Sequence, residues 1–268
     1  MAIKVLVLGD VVGKPGRRIL SAKLKALREQ LSCDAVVVNG ENVAGGSGIT
    51  PVLLDELCAS GIDVVTTGDH VFKKREIIPR LETDPRIIRP LNYPTQAAGK
   101  GITYITTPRC AIAIINLIGR VFMQPNRCPF LTADEAIAQI GDKTPVIIVD
   151  FHAEATSEKV AMGWYLDGRV SAVLGTHTHI ATCDARILPH GTAYITDLGM
   201  TGPYESVIGR KIDRILSRLI TGMPTPFDVA KDDVRLSGAL VQIDETTGRA
   251  LSIERVEIRD ESAEKSSP

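Results

Sequence analysis

The sequence has no excess of charge of either sign and no long apolar run. Its 31 basic and 32 acidic residues give a formal net charge of −1. Such a chain has no overall field that attracts long nucleic acid or an anionic membrane, so we expect neither as a partner. No stretch approaches the ~18 apolar residues of a membrane helix, and the first apolar run ends at Asp10 without a signal-peptide pattern.

Paired cysteines and nucleotide-binding motifs are also lacking. The five cysteines are odd in number and scattered, which predicts reduced thiols in a cytoplasmic protein. The segment Gly9 to Lys14 lacks the spacing of a phosphate-binding P-loop, and no G-x-G-x-x-G follows the first predicted strand. There is no G-x-S-x-G elbow for a serine nucleophile either.

Buried-strand patterns alternate with helical patterns along the chain. Residues 3–8, 35–38 and 62–66 read as strands, and the segments between them read as helices. Parallel strands need such crossovers, so the fold class is α/β. We expect one domain over residues 1–259, followed by a flexible tail at 260–268.

Two further local patterns give testable expectations. Residues 86–88 read as a strand in the less regular middle of the chain. Thr132, with Glu135 three residues later, forms a capping-box pattern that predicts a helix from there to about Gly141.

Polar clusters follow the C-terminal ends of five predicted strands. They are Asp10, Glu41 with Asn42, Asp69 with His70, His152, and His177 with His179. Strand ends gather at one edge of an open α/β sheet, where ligands bind. Without His70 the set offers three carboxylates, one amide and three imidazoles, more than one tetrahedral ion uses. Two ions sharing a carboxylate would use them all, and these donors suit iron, manganese, zinc or nickel.

Each of these residues also has a structural interpretation. Asp10 could cap a helix or a turn, and Glu41 with Asn42 could order the glycine-rich loop that follows. His152 could be a hydrogen-bonded core histidine. The pair His177 and His179 is harder to explain in this way, because alternate residues leaving a strand point in the same direction.

The order of these clusters resembles the calcineurin-like metallophosphoesterase superfamily. More narrowly, the blocks GDVVGKPGRR, NGENVAGGSGIT, RPLNYP, FHAEATSEK, GWYLDGRVSAVLGTHTH and AYITDLGMTGP are similar to the YmdB-type bacterial phosphodiesterases, from about residue 3 to about 258. The resemblance implies a four-layer α/β/β/α sandwich of two mixed sheets packed face to face with helices outside. It also implies a dinuclear centre at the strand ends.

Residue roles follow from the resemblance. Glu41 would bridge the two ions, for which iron or manganese is expected, and His70 would act as general acid. One site would be completed by Asp10, Asn42 and His179, and the other by Asp69, His152 and His177. The implied activity is hydrolysis of phosphodiesters, characteristically 2′,3′-cyclic nucleotides, by a hydroxide that bridges the ions. A homo-oligomeric state is left open.

Asp69 departs from the family pattern, which has asparagine there; Phe72 likewise replaces a tryptophan. Our hypothesis is that Asp69 tightens metal binding and favours monoanionic diesters over dianionic monoesters. Because of this departure, a second interpretation of the function remains: a regulatory protein that binds nucleotide or metal with little turnover. A dinuclear hydrolase acting on an amide or a thioester is a third alternative.

Overall fold

The computed structural model describes residues 2–261, and two β-sheets form its centre. The strands are β1 Ala2–Leu8, β2 Asp10–Val11, β3 Ala35–Asn39, β4 Val64–Thr66, β5 Ile102–Thr106, β6 Ala111–Ile118, β7 Ile147–His152, β8 Ala172–Thr176, β9 Arg186–Ile187, β10 Ala193–Ile195, β11 Met200–Pro203, β12 Val234–Asp244 and β13 Ala250–Arg259. The helices are α1 Gly13–Leu31, α2 Pro51–Ala59, α3 Ile78–Thr83, α4 Pro129–Ile140, α5 Thr156–Leu166 and α6 Ile212–Thr221, with short 3-10 turns at Arg75–Ile77 and Gly141–Lys143.

Both sheets are mixed. The first has the order β2-β11-β12-β1-β3-β4, with β13 paired to β12, and its β1, β3 and β4 run parallel. The second has the order β5-β6-β7-β8-β10-β9, with parallel β6, β7, β8 and β10 and antiparallel edge strands. Parallel strands align their carboxyl ends, so each sheet has one edge at which several strands end together.

Side-chain alternation along each strand divides the core into layers. On β1, Val5 and Val7 join a buried cluster that contains Ile148 of the second sheet. Leu6 and Leu8 point the other way and pack with the apolar face of α1. A third cluster packs the outer face of the second sheet against α4 and α5. Because both faces of each sheet are covered, the central strands are mainly apolar on both faces. The predicted α/β/β/α sandwich is confirmed.

Two local predictions were wrong. Residues 86–88 form no strand, and only an isolated bridge joins Ile87 to Val65. The apolar pattern there reflects burial of Ile87 and Ile88, while Pro90 lacks the N–H that a longer ladder needs.

Helix α4 begins at Pro129, three residues before the predicted N-cap. Proline is favoured at the first position of a helix because its missing N–H is not needed there. The buried Thr132 hydroxyl has no hydrogen-bond partner, so the capping box predicted there does not form.

Two short strands position Asp10. The parallel pair β2 and β11 places Asp10 beside Met200 in the ladder. Within residues 2–261, no helix combines the length and apolarity needed to cross a membrane. Most of the tail predicted at 260–268 lies outside the described residues.

Candidate metal centre

The seven predicted ligands and His70 meet where strands of both sheets end. Asp10, Glu41, Asn42, Asp69 and His70 follow β1, β3 and β4 of the first sheet. His152, His177 and His179 come from the ends of β7 and β8 in the second. The centre therefore lies at the edge that the two sheets share, and contacts between ligands cross from one sheet to the other.

Glu41, Asp69, His152 and His177 form one group of donors. Each offers one atom, and the four atoms lie within 4.8 Å of one another. His152 Nε2 is 3.2 Å from Glu41 Oε1, 3.3 Å from Asp69 Oδ1 and 2.9 Å from His177 Nδ1. Two facing imidazole nitrogens need a proton or a cation between them, because two lone pairs repel. The group therefore fits a divalent cation with nitrogen and oxygen ligands.

Asp10, Asn42 and His179 form the second group. Asn42 Nδ2 lies 3.4 Å from Asp10 Oδ1, 3.3 Å from His179 Nε2 and 3.3 Å from Glu41 Oε1. Here the amide N–H₂ donates to acceptors that a cation could use. A cation in its place requires the amide oxygen to face the group, which a rotation of the amide plane achieves. Glu41 Oε1 is the atom that contacts both groups.

The outward nitrogen of each histidine has a hydrogen-bond partner. His152 Nδ1 contacts Thr176 Oγ1 at 3.0 Å, His177 Nε2 contacts Glu154 Oε2 at 3.0 Å, and His179 Nδ1 contacts the Ile208 carbonyl at 2.9 Å. The Thr176 hydroxyl donates to Asp150 Oδ1 at 2.7 Å, so it accepts from His152. These acceptors favour a proton on each outward nitrogen, so the inward nitrogen is the one that a metal would bind after displacing any proton there.

Two glycines allow these close approaches. A Cβ on Gly68 would lie 2.2 Å from His152 Nε2 and 2.4 Å from Glu41 Oε2. A Cβ on Gly175, where the last ligand strand ends, would lie 1.8 Å from the Thr196 carbonyl oxygen. Any side chain at either position would push apart the ligands or the strand that presents them.

The site groups shift one another's proton affinities. Burial raises the pKa of Glu41, but His152 and His70 together outweigh burial and hold that pKa well below the usual range. Burial lowers the pKa of His152, but Glu41 and Asp69 outweigh it and raise that pKa well above its ordinary value. Without metal the buried carboxylates therefore share protons with the histidines, and a bound cation would displace those protons.

Several supporting residues were not predicted from the sequence. Asn39 donates to Asp150 Oδ2 at 3.3 Å, and Thr66 also contacts that carboxylate. Glu154 follows His152 by two residues in the chain, so its position beside a predicted ligand was an available signal. No sequence signal indicates the Ile208 carbonyl, because every residue type has a backbone carbonyl that can accept a hydrogen bond.

Known proteins match this chain over nearly its whole length. The model of the family described as YmdB-like protein matches residues 6–256. A 2′,3′-cyclic-nucleotide 2′-phosphodiesterase of Bacillus subtilis (strain 168) is 47% identical over 259 residues, covering 97% of this chain and 98% of the relative.

Two solved structures share the fold. A hypothetical protein from Thermus thermophilus is 39% identical with a TM-score of 0.90, covering 96% of this chain and 100% of that one. A novel phosphatase from Mycoplasma pneumoniae is 34% identical with a TM-score of 0.92, covering 100% of this chain and 98% of that one. Family match, sequence identity and fold agree with the resemblance seen in the motif blocks. This chain belongs to the YmdB-like family.

Proposed function

We propose that this protein is a metal-dependent phosphodiesterase that hydrolyses small diesters, with 2′,3′-cyclic nucleotides as its substrate class. The observation that carries the proposal is the meeting of seven nitrogen and oxygen donors in two groups that share Glu41. The name of the Bacillus subtilis relative supports the substrate class.

The two groups divide the ligands between two ions. Asp10, Asn42 and His179 would hold one ion, Asp69, His152 and His177 would hold the other, and Glu41 would contribute to both sites. When bound, such a pair of ions activates water and neutralises charge on the phosphoryl oxygens. The chain's own part is to hold the donors in place and to fix the protonation of each imidazole through Thr176, Glu154 and Ile208.

We propose that His70 supplies a proton to the leaving oxygen. Its Nδ1 lies 3.2 Å from Glu41 Oε1 and 3.1 Å from Asn42 Oδ1. Its Nε2 lies 3.5 Å from Asp69 Oδ2, and 29% of the side chain is exposed. The hydrogen bond with Glu41 raises the pKa of His70. A larger fraction is therefore cationic near neutral pH, as a general acid requires.

Turnover by metal-loaded protein tests the proposal. We expect hydrolysis of both 2′,3′-cyclic AMP and bis-(p-nitrophenyl) phosphate. Tight nucleotide binding without turnover would favour the regulatory protein, and hydrolysis of a thioester but of no diester would favour the third alternative. Elemental analysis of protein purified without added metal identifies the ions, for which we expect iron or manganese rather than zinc or nickel. A cytoplasmic location and a homo-oligomeric state stay predictions.

His70→Ala should separate proton donation from metal binding. We expect kcat on 2′,3′-cyclic AMP to fall by about 10²–10⁴-fold, the usual contribution of a general acid. The loss on bis-(p-nitrophenyl) phosphate should be much smaller, because p-nitrophenolate leaves without a proton. His190→Ala is the matched control, since that side chain is 76% exposed and paired with Asp167. Equal losses on both substrates would contradict the role.

A further inference from the structure

The loop of residues 119–127 follows β6 and starts against the strand that ends at His152. Strands β6 and β7 are parallel neighbours, and Ile118 is in register with His152. The Gly119 N–H donates to the His152 carbonyl at 3.0 Å. A Cβ on Gly119 would lie 2.7 Å from Ala153 Cβ. The loop thus starts in contact with a ligand strand, next to the segment that carries Glu154.

Asn92 closes the two ends of the 119–127 loop. Its Nδ2 donates to the Ile118 carbonyl at 2.7 Å and to the Arg127 carbonyl at 3.0 Å. Its Oδ1 accepts from the Ile118 N–H at 2.9 Å, and the side chain is fully buried. The next residue, Tyr93, donates its hydroxyl to the Gly68 carbonyl at 3.4 Å. The closed end of the loop is therefore connected to the ligand segment at Gly68 as well as to His152.

A buried carboxylate fixes the first turn of the 119–127 loop. Glu158, 7% exposed, accepts the Arg120 N–H at 3.0 Å and the Val121 N–H at 3.2 Å. The turn that follows presents Phe122 with 88% of its surface exposed and a φ of 62°. A left-handed backbone is uncommon for a bulky residue, and an exposed ring gains nothing from burial.

Strain of this kind persists only where surrounding contacts enforce it, and it is concentrated at functional sites. Here the contacts are those of Glu158 and Asn92, and they hold an exposed aromatic ring four residues after Ile118, which is in register with His152. Aromatic rings in such positions stack on nucleobases, and stacking tolerates any base because every base has a π-face.

We propose that the 119–127 loop is a nucleobase-binding subsite in which Phe122 stacks on the base of the substrate. The inference rests on the proposed function and deepens it, because it explains selection of nucleotides over diesters without a base. Phe122 sets specificity through binding, while the phosphodiester is cleaved at the ligands described above.

The test compares Phe122→Ala with the parent, both metal-loaded, on 2′,3′-cyclic AMP and on glycerol 1,2-cyclic phosphate. The second substrate is a five-membered cyclic diester with no base. We expect KM for the nucleotide to rise roughly fivefold to a hundredfold, the range that the loss of one stacking contact gives. KM for the glycerol diester should not change. Calorimetric binding of 3′-AMP gives a second readout that needs no turnover, and it should weaken by a similar factor.

Three further variants distinguish the effect of the aromatic ring on nucleotide binding from the effect of the left-handed backbone conformation. Phe122→Trp should retain nucleotide affinity, because the ring is kept. Phe122→Gly relieves the left-handed strain but removes the ring, so it should behave like Phe122→Ala on the nucleotide. Trp164→Ala removes another exposed aromatic, 51% exposed on α5, and should leave both KM values unchanged.

Two outcomes would overturn the subsite. One is unchanged nucleotide KM and 3′-AMP affinity in Phe122→Ala, and the other is an equal rise for both substrates, which indicates a general structural role. A change in sedimentation mass together with such an equal rise would show that the ring contacts a second copy. If the parent cleaves neither substrate, the proposed function fails, and 3′-AMP binding still decides the subsite. If the parent cleaves both and Phe122→Ala matches it, the subsite alone fails.

Discussion

Glu154 differs from the other partners of the histidine ligands because it is charged and half exposed. The Thr176 hydroxyl and the Ile208 carbonyl are neutral acceptors for His152 and His179. A carboxylate on the outer nitrogen raises the basicity of an imidazole and fixes its orientation. His177 is therefore the ligand whose strength one surface substitution can change.

Glu154→Gln should weaken metal binding at the group that contains His177. The amide can still hydrogen-bond the ring but lacks the charge, so we expect a loss in affinity of roughly tenfold to a hundredfold at that site. Metal titration by calorimetry, which separates two binding events, measures it. Glu257→Gln, which changes an exposed carboxylate paired with Arg235, is the control. An unchanged second binding event would show that Glu154 does not support His177.

Asp69 is one of two residues at which this chain departs from the pattern that the resemblance implies. Its Oδ1 lies 3.3 Å from His152 Nε2 and 3.5 Å from His177 Nδ1, so it belongs to the group of four donor atoms that could hold a metal ion. Ionised Asp10, Glu41 and Asp69 supply three negative charges, and asparagine at position 69 would leave two.

Asp69→Asn should therefore weaken metal binding and strengthen attraction for phosphate. We expect the acidic limb of the pH–rate profile to move to lower pH, since less ligand charge lowers the pKa of coordinated water. The preference for diesters over monoesters should fall. Steady-state rates on bis-(p-nitrophenyl) phosphate and p-nitrophenyl phosphate across pH test both effects. Superimposable profiles with the same preference would refute the hypothesis.

The segment that carries two of the ligands is strained and is held by a buried ion pair. His177 and His179 have φ values of 100° and 65°. Between them, Thr178 donates its N–H at 3.2 Å and its hydroxyl at 2.9 Å to Asp197 Oδ2. Lys159 Nζ contacts the same carboxylate at 2.5 Å and the Thr176 carbonyl at 2.7 Å. The pair thus fixes both ends of the turn that presents the histidines.

Lys159→Met should destabilise the fold and loosen the metal-binding turn. Lys159 and Asp197 are each 1% exposed, so the variant leaves a buried carboxylate without its cation, which costs about 3–5 kcal/mol. Guanidinium denaturation of the metal-free protein measures this cost. Arg169→Met is the control, because its pair with Asp134 is exposed and contributes about 0–1 kcal/mol. Equal effects of the two variants would show that the buried pair has no special role.

The sequence predicts the site residues better than it predicts the pairing of short strands and the start of a helix. The meeting of the predicted site residues could be predicted because each follows an apolar run at a strand end, a pattern visible within a few residues. Strands β2 and β11 could not, because Asp10–Val11 pairs with Met200–Pro203 from a distant part of the chain. The start of α4 differs from the prediction because the helix begins at Pro129, which needs no N–H partner there, and the Thr132 hydroxyl does not act as a cap. Patterns of a few consecutive residues thus predict which side chains lie at strand ends. Strand pairing between distant segments of the chain follows only from the tertiary structure.

Polar contacts beneath the ligands connect the two sheets of the molecule. Asn39 on β3 donates to Asp150 on β7 at 3.3 Å, and Thr66 on β4 contacts the same carboxylate. Because Glu41 from the first sheet faces His152 from the second at 3.2 Å, a shared cation would join the sheets at their common edge. Metal binding should therefore be linked to the stability of the whole fold.

Removal of metal should lower thermal stability, and the loss should grow with pH. A cation that binds only the folded state adds about 2.7 kcal/mol when its free concentration is one hundred times its Kd. In the chelated protein, protons on the histidines partly replace the cation. The folded pKa of His152 is raised above its ordinary value of 6.5: burial lowers it, but Glu41, Asp69 and Asp10 together outweigh burial.

A raised folded pKa means that the folded state binds this proton more tightly than the unfolded state does. The stabilisation is complete below the unfolded pKa of about 6.5, and it is lost as pH rises through the folded pKa. The metal-loaded protein has no such proton to lose at that position. We therefore expect the Tm difference between loaded and chelated protein to widen from about pH 6 upwards, measured by calorimetry at fixed free metal. Replacing His152 with glutamine, which has no titratable imidazole, should flatten the pH dependence of the chelated form. A difference that narrows with rising pH would contradict proton replacement at the centre.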